Sequence, residues 1–354
     1  LRTESVTNIS DRSSALPARR FCLAPMMEWS DRHCRYLWRI ISRNAWVYTE
    51  MVVTGAIIHG DKNRFLDFND EEHPIALQLG GCNPAELAEC SKIAEQWGYD
   101  EVNLNCGCPS DRVQNNMIGA VLMKHTQTVA DCLKAMQDAT GIAVTIKHRI
   151  GVDDQDGFNS LVDFVGTLAE TGTKTFIVHA RKAWLQGLSP KENREIPPLD
   201  YDAVYRLKAL YPHLEIILNG GLTTTAQCSD VIKAGADGVM VGREAYSNPY
   251  VLVDVDNTFY PSSQSPSNQS QSNQSLPSRK EIFEQYVSYC EHQLTKGVKL
   301  HHLSKHVLGL FSGQPGGRLF RRYMSENVHK PNASIDTLWQ AYECVENSNR
   351  AATG

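Results

Sequence analysis

Eight short apolar or β-branched runs alternate with amphipathic stretches between residue 21 and about residue 260 of this 354-residue chain, and that alternation narrows the folds open to it more than any other feature. The runs cover residues 21–26, 46–51, 75–80, 101–107, 143–151, 175–181, 215–221 and 238–243. Helical patterns lie between most of them. PAELAECSKIAEQWG, from Pro84, has proline in its first turn and Gly98 as a stop; SLVDFVGTLAETG begins at Ser160 and TTAQCSDVIKAG at Thr224. Eight strands with intervening helices over roughly 240 residues match the count and size of a (β/α)8 TIM barrel. A doubly wound sheet is the alternative, but no GxGxxG follows the first run.

The alternation stops at residue 260. Residues 261–278, PSSQSPSNQSQSNQSLPS, carry no charge and a single leucine, which reads as a flexible linker because so little apolar surface cannot offset the entropy of ordering. Helical signals resume at Arg279 in RKEIFEQYVSYCEHQLTKG, VKLHHLSKHVLGLF, RLFRRYMSEN and SIDTLWQAYECVE. The expected organisation is an N-terminal extension over 1–20, a barrel over 21–260, a linker over 261–278 and a small all-helical C-terminal domain over 279–350. With 42% hydrophobic and 21% charged residues, wholesale disorder is excluded. No apolar run approaches the ~18–20 residues of a membrane span, and the first twenty residues lack the apolar core of a secretory leader. Ten cysteines without a CxxC pair read as free thiols in a reducing cytoplasm.

The net charge of −5 argues against a nucleic-acid partner until it is divided along the chain. Residues 279–330 hold nine Lys/Arg and four Asp/Glu, whereas residues 1–278 hold 25 and 33. A basic segment on an acidic body can grip a polyanion locally, although a solvated helix face gives the same arithmetic.

In a barrel, reactive groups stand where strands end at the C-terminal mouth. Those ends carry Pro25, Met26 and Met27; Gln78; Asn105 with Cys106 and Cys108; Lys147 with Arg149; His179 with Arg181; Asn219, Gly220 and Gly221; and Gly242 with Arg243. So many polar or glycine closures point to a ligand site. The last two ends follow the seventh and eighth runs, where barrels commonly bind phosphate: glycines admit backbone N–H groups to the anion and Arg243 offers a bidentate contact. Lys147 at a strand end can hold a developing negative charge such as that of a reduced flavin ring, and His179 lies in the adjacent run. Alone, the lysine would be a rim residue and the histidine a core one.

The segment LNCGCPSDRVQNNMIGAVLM, Leu104 to Met123, begins at a strand end, turns through Gly107 and Pro109 and returns to an apolar helical pattern. Its CxC spacing does not support a zinc ribbon or a thioredoxin-like motif, and no metal site is expected. A thiol on a barrel-top loop can act as nucleophile or general acid. Two compete: Cys106, closer to the strand, can simply pack, and Cys108, past the glycine, is better exposed.

With these residues in view, the chain resembles the tRNA-dihydrouridine synthases, flavin-dependent reductases of uridine in tRNA. LN-x-GCPS followed by V and GA-x-LM is highly specific to that family, and LNCGCPSDRVQNNMIGAVLM fits throughout. APMMEWSDRHCRYLWR from Ala24, TIKHRIGVDD, FIVHARKAWLQGLSPKENREIPPL, ILNGG and GVMVGREAY fit as well, so the resemblance covers roughly residues 20–350. It is closest to the A-type branch, whose members act at positions 20 and 20a of the D-loop, on the strength of LQGLSPKENREIPPL. The resemblance implies FMN contacts at Pro25, Met26, Met27, Gln78, Lys147, His179, Asn219, Gly220, Gly221, Gly242 and Arg243, and Cys108 as proton donor. It also implies Asn105 and Arg149 near the target base, and tRNA contacts at Lys191, Arg194, Arg318 and Arg321. The helical domain becomes a tRNA-binding domain; the Ser/Gln/Asn-rich linker has no counterpart in the family pattern.

The mechanism so implied is ping-pong: NADPH, or NADH, reduces FMN, the uridine leaves its stack, hydride reaches C6 from flavin N5, and Cys108 protonates C5 from the other face. Asn105 and Arg149 are then donors for the charge on the uracil carbonyl. No membrane and no obligate protein partner are expected. Two other readings stay open. One is an FMN barrel acting on a small molecule, such as a dihydroorotate- or dihydropyrimidine-type dehydrogenase, which the basic tail, Lys191 and Arg194 oppose. The other is a non-catalytic tRNA binder, which Cys108, Lys147 and His179 oppose. Salt sensitivity separates tRNA from a small substrate.

Overall fold

The computed structural model describes residues 16–110, 117–261 and 276–353. Residues 1–15 of the expected extension, 262–275 of the expected linker and 111–116 of the CxC loop lie outside the described residues, as does residue 354.

All eight runs form strands. They are β1 (Phe21–Leu23), β2 (Trp46–Tyr48), β4 (Ile75–Gly80), β5 (Glu101–Cys106), β6 (Ala143–Arg149), β7 (Thr175–His179), β8 (Glu215–Asn219) and β9 (Gly238–Val241), with a further two-residue β3 (Val52–Val53). Every pairing is parallel; β1 pairs with both β2 and β9, and β2 with β4, so the sheet closes into a ring of eight with β3 attached to the end of β4. The second run is interrupted where one continuous strand is expected over 46–51. Tyr48 opposes Ala76 but Val52 opposes Leu79, so the ring strand holds one residue more than its partner, as in a β-bulge. Thr49 bridges the break: its N–H donates to the Ala76 carbonyl and its Oγ1 accepts from the Gln78 N–H, each at 3.0 Å. Most of the other strands stop two or three residues before their runs do, because the last residues turn away from the ladder to line the mouth.

Period-two alternation decides which side chains enter the barrel. Cys22, Ala24, Trp46, Tyr48, Ala76, Ile177, Ile217 and Met240 pack together inside it. On β5 the same phase brings Glu101, Asn103 and Asn105 into hydrogen bonds with the neighbouring strands, and Val102, Leu104 and Cys106 fall on the opposite face, all fully buried. The helices follow their sequence signals. Pro84–Trp97 starts behind the Asn83 side chain, which accepts from Ala85 and Glu86, and Thr225–Lys233 starts behind Thr224. After the CxC loop the chain forms a 3-10 turn, Gly119–Lys124, before the helix Thr126–Ala139, rather than one apolar helix.

A cation closes the base. Arg19 Nε donates to Glu101 at 2.7 Å, its Nη1 donates to Glu215 at 3.1 Å, and the guanidinium lies 4.3 Å from the centre of the Trp46 ring. Burial opposes the charge on Arg19, but Glu101, Tyr48 and Glu215 more than offset it and hold the guanidinium protonated.

By packing, the chain divides into two compact units: Asn44–Gly242 with the chain up to Ser30, and Asp31–Arg43 with Arg243–Gly354. In the second, Phe283, Phe311, Phe320 and Tyr342 form an aromatic core with ring centres 4.9–6.0 Å apart, among the helices Arg279–Thr295, Gly317–Asn327 and Asp336–Thr353. The pattern VKLHHLSKHVLGLF is helical only over Leu300–Ser304. The Tyr286 hydroxyl donates at 2.9 Å to the Leu303 carbonyl, which a continuing helix would offer to Val307, and Val307 N–H bonds Ser304 instead at 3.3 Å.

Candidate active site

The loop after β5 is held from three sides. Asn105 Oδ1 accepts the backbone N–H groups of Gly107 and Cys108, both at 3.1 Å. Arg149, at the end of β6, donates from Nε to the Gly107 carbonyl at 2.9 Å. On the far side, the Cys108 carbonyl accepts from Ala120 N–H at 2.8 Å. That approach requires Gly119: its φ is +84° and a Cβ there would lie 2.3 Å from the Cys108 carbonyl oxygen. The glycine of the GA-x-LM pattern therefore clamps the returning chain onto the cysteine. Cys106 is fully buried on the side of β5 away from the barrel interior, whereas Cys108 is half-buried on the loop, so the competition between the two thiols resolves in favour of Cys108 as the accessible one.

Arg149 holds a second loop as well. It is 2% exposed, and its Nη1 donates to the carbonyls of Lys182 and Asn193, both at 3.0 Å. One guanidinium thus ties the cysteine loop to the loop after β7. Asn193 organises that second loop, accepting from Trp184 N–H at 2.8 Å and donating to the Trp184 and Leu188 carbonyls at 2.9 and 3.1 Å. Sequence reading missed Asn193, which sits in KENREIPPL between the two cations it singled out; the signal was a buried asparagine in a charged loop, invisible without burial.

Positive charge gathers at the mouth. Lys147 is half-buried at the end of β6 and makes no ion pair with a carboxylate among the described residues; burial, then Arg149, pull its ammonium down to about 7, while Cys108 acts in the opposite sense. Burial and then Arg149, Lys147, Arg181 and Arg194 hold the His179 imidazole well below its usual pKa and therefore neutral. Lys147 opposes Asn105 on one side, and Arg149 opposes His179 and His179 opposes Asn219 on the other, so register alone lines these strand ends up around the rim.

Asn219 donates to the Met240 carbonyl at 2.7 Å, and Gly220 and Gly221 turn the chain with φ of +121° and +72°. A Cβ on Gly220 would meet His179 Cδ2 at 2.8 Å. Gly220→Ala is accordingly expected to cost about 1–3 kcal/mol through strain and overpacking. Denaturant unfolding checks this, and an unchanged midpoint would mean that the imidazole yields freely. Gly242 lies where a Cβ would rest against Ala24 and Met26 Sδ at 3.4 and 3.5 Å, which brings the ends of β9 and β1 together. Pro25 and Met26 are half-buried there, and Met27 is 58% exposed. Gln78 is buried inside the barrel and bonded to Asn103 and Asn105. Arg243 is exposed and opens the helix Arg243–Ser247.

Lys191 is exposed and Arg194 half-buried, flanking the turn Glu192–Arg194. Arg318 and Arg321 are exposed on the helix Gly317–Asn327 together with Arg322, while Phe320 and Met324 anchor its other face. Among the described residues, no group of three or more His, Cys, Asp or Glu side chains could hold a metal ion, and no helix is long and apolar enough to cross a membrane.

Residues 22–347 match the family model described as dihydrouridine synthase. The tRNA-dihydrouridine(20/20a) synthase of Salmonella typhimurium is 52% identical over 335 residues, covering 94% of this chain and 97% of that protein. Proteins of the same name from Shewanella oneidensis and Pseudomonas syringae pv. tomato are 52% and 53% identical, covering 96% and 93% of this chain and 97% and 95% of their own length.

Proposed function

The chain belongs to the dihydrouridine synthase family, and from that membership we propose that it reduces uridine to 5,6-dihydrouridine at positions 20 and 20a of the tRNA D-loop, with FMN as its cofactor, NADPH as reductant and the cytoplasm as its place of action. The observation that carries the reading is the cysteine loop: Cys108 on a backbone gripped by Asn105, Arg149 and Ala120, within electrostatic reach of Lys147.

The donor set fits a flavin mononucleotide. Lys147, at a strand end, has no carboxylate partner among the described residues, the neutral His179 lies on the adjacent strand, and Gly220 and Gly221 turn the chain after Asn219 with positive φ, a conformation suited to turning backbone N–H groups to a phosphate. When bound, the flavin supplies a hydride to uracil C6. Lys147, Gln78 and His179 would hold the ring, and Asn219, Gly220, Gly221, Gly242 and Arg243 the phosphate end, with Pro25, Met26 and Met27 at the rim. Cys108 donates its proton to C5 of the base. Asn105 serves the loop with its oxygen and directs one amide hydrogen to Gln78, so its second is the one that can face the substrate. Arg149 has Nε and Nη1 engaged with carbonyls, which makes Nη2 its donor toward the uracil oxygen. Lys191, Arg194, Arg318 and Arg321 supply phosphate contacts that position the tRNA without reading its sequence.

Unmodified tRNA incubated with the purified protein, FMN and NADPH tests this. Mass spectrometry of D-loop fragments is expected to show two added hydrogens on the uridines at 20 and 20a; no gain in the presence of reducible bound flavin would exclude uridine in tRNA of that kind as the substrate. Lys147 adds a pH signature. Binding the acceptor atoms of the flavin ring favours the protonated ammonium, whose pKa in the free site is about 7. Affinity is therefore greatest below pH 7 and weakens as pH rises, by up to about tenfold per unit while the bound form keeps its proton. Flavin fluorescence titrations between pH 6 and 9 read the slope, and Lys147→Met is expected to flatten it.

A further inference from the structure

Four hydrogen bonds inside the barrel join its base to the cysteine loop, and all run in one direction. Asn105 Nδ2 donates to Gln78 Oε1 at 2.8 Å, Gln78 Nε2 to Asn103 Oδ1 at 2.8 Å, Asn103 Nδ2 to Thr145 Oγ1 at 2.8 Å, and the Thr145 hydroxyl to Glu101 Oε1 at 2.5 Å. The direction has a cause at the base. Glu101, ion-paired to Arg19, only accepts, so the single hydroxyl proton of Thr145 points to it and the Thr145 oxygen is left to accept from Asn103. An amide has one donating and one accepting end. Asn103, Gln78 and Asn105 therefore align in turn, NH2 toward the base and C=O toward the mouth. At the top the aligned oxygen is Asn105 Oδ1, which takes the N–H groups of Gly107 and Cys108. In the reverse orientation Asn105 would press an NH2 against two N–H groups.

We propose that Thr145 is a positioning residue for uridine reduction: it sets the direction of this relay and through it the conformation of the loop that carries Cys108. The proposal rests on the reading of Cys108 as the proton donor. Thr145 is 1% exposed, so packing is the competing role, and two substitutions separate them. Thr145→Val keeps the shape and removes the hydroxyl; Thr145→Ser keeps the hydroxyl and removes a methyl.

The experiment uses the flavin-loaded enzyme, with two readouts: kcat on unmodified tRNA, and the rate at which iodoacetamide alkylates Cys108, resolved by peptide mass spectrometry. Thr145→Val is expected to lower kcat about tenfold, the worth of one well-placed hydrogen bond, and to change Cys108 alkylation by about threefold or more. Thr145→Ser is expected to stay within about twofold of wild type on both. Wild-type behaviour of Thr145→Val, or equal impairment by Ser and Val, overturns the proposal. If Thr145→Val does not fold, Asn103→Leu breaks the next link, and unchanged Cys108 alkylation there overturns it too. Alkylation reports the loop even if another group delivers the proton, so failure of the relay and failure of the Cys108 assignment stay distinguishable.

Discussion

Replacing Cys108 with alanine is expected to leave flavin bound and to slow reduction of the tRNA uridine by about 10²–10⁴-fold in kcat, the range that a positioned general acid contributes. The loop itself should survive. Asn105, Arg149 and Ala120 grip backbone atoms of residues 107 and 108, none of which the substitution removes. Cys106→Ala is the internal control: that side chain is fully buried outside the barrel interior, so its loss should cost about 1 kcal/mol or a little more in stability and leave turnover intact. Single-turnover reduction of tRNA uridine by each variant with pre-reduced flavin makes the comparison. Turnover of Cys108→Ala within twofold of wild type would remove the thiol from the proton-donor role.

The largest expected loss of stability comes from the other end of the barrel. Arg19→Ala leaves the fully buried Glu101 without its cation and deprives Glu215 of its cationic partner. Removing one member of a buried ion pair typically costs about 3–5 kcal/mol, most of it the penalty of the stranded charge. The double variant Arg19→Met, Glu101→Gln removes both charges at nearly constant volume and should recover much of that loss. A double-mutant cycle from denaturant midpoints measures the coupling. A single-variant cost below about 1 kcal/mol would mean that water replaces the guanidinium at the base.

Arg19 also marks where local patterns stop being informative. By composition it belongs with the polar N-terminal extension, yet its partners lie 82 and 196 residues along the chain. The eight strands and the glycine-rich seventh and eighth ends were legible because each is a short-range signal: a run of β-branched residues, a turn, a helix stop. Even the choice between Cys106 and Cys108 was within reach, since inward Asn103 and Asn105 place Cys106 on the outer face by simple alternation. The break at Thr49 was not. A bulge is a mismatch in count between two strands, and neither strand records it alone.

Arg149 and Asn105 show the same division at the site. The family resemblance implies that both neighbour the reacting base, and they stand at the ends of β6 and β5. What the hydrogen bonds show is that they hold the Cys108 loop and the loop after β7. Sequence by itself determined the barrel, its mouth and the cysteine-bearing loop, because periodicity and the motif are written along the chain. Only the tertiary structure decided which groups hold that loop, which cation closes the base and which way the amides between them point. Each of those depends on cross-strand register, which brings together residues whose separation in sequence carries no trace of their contact.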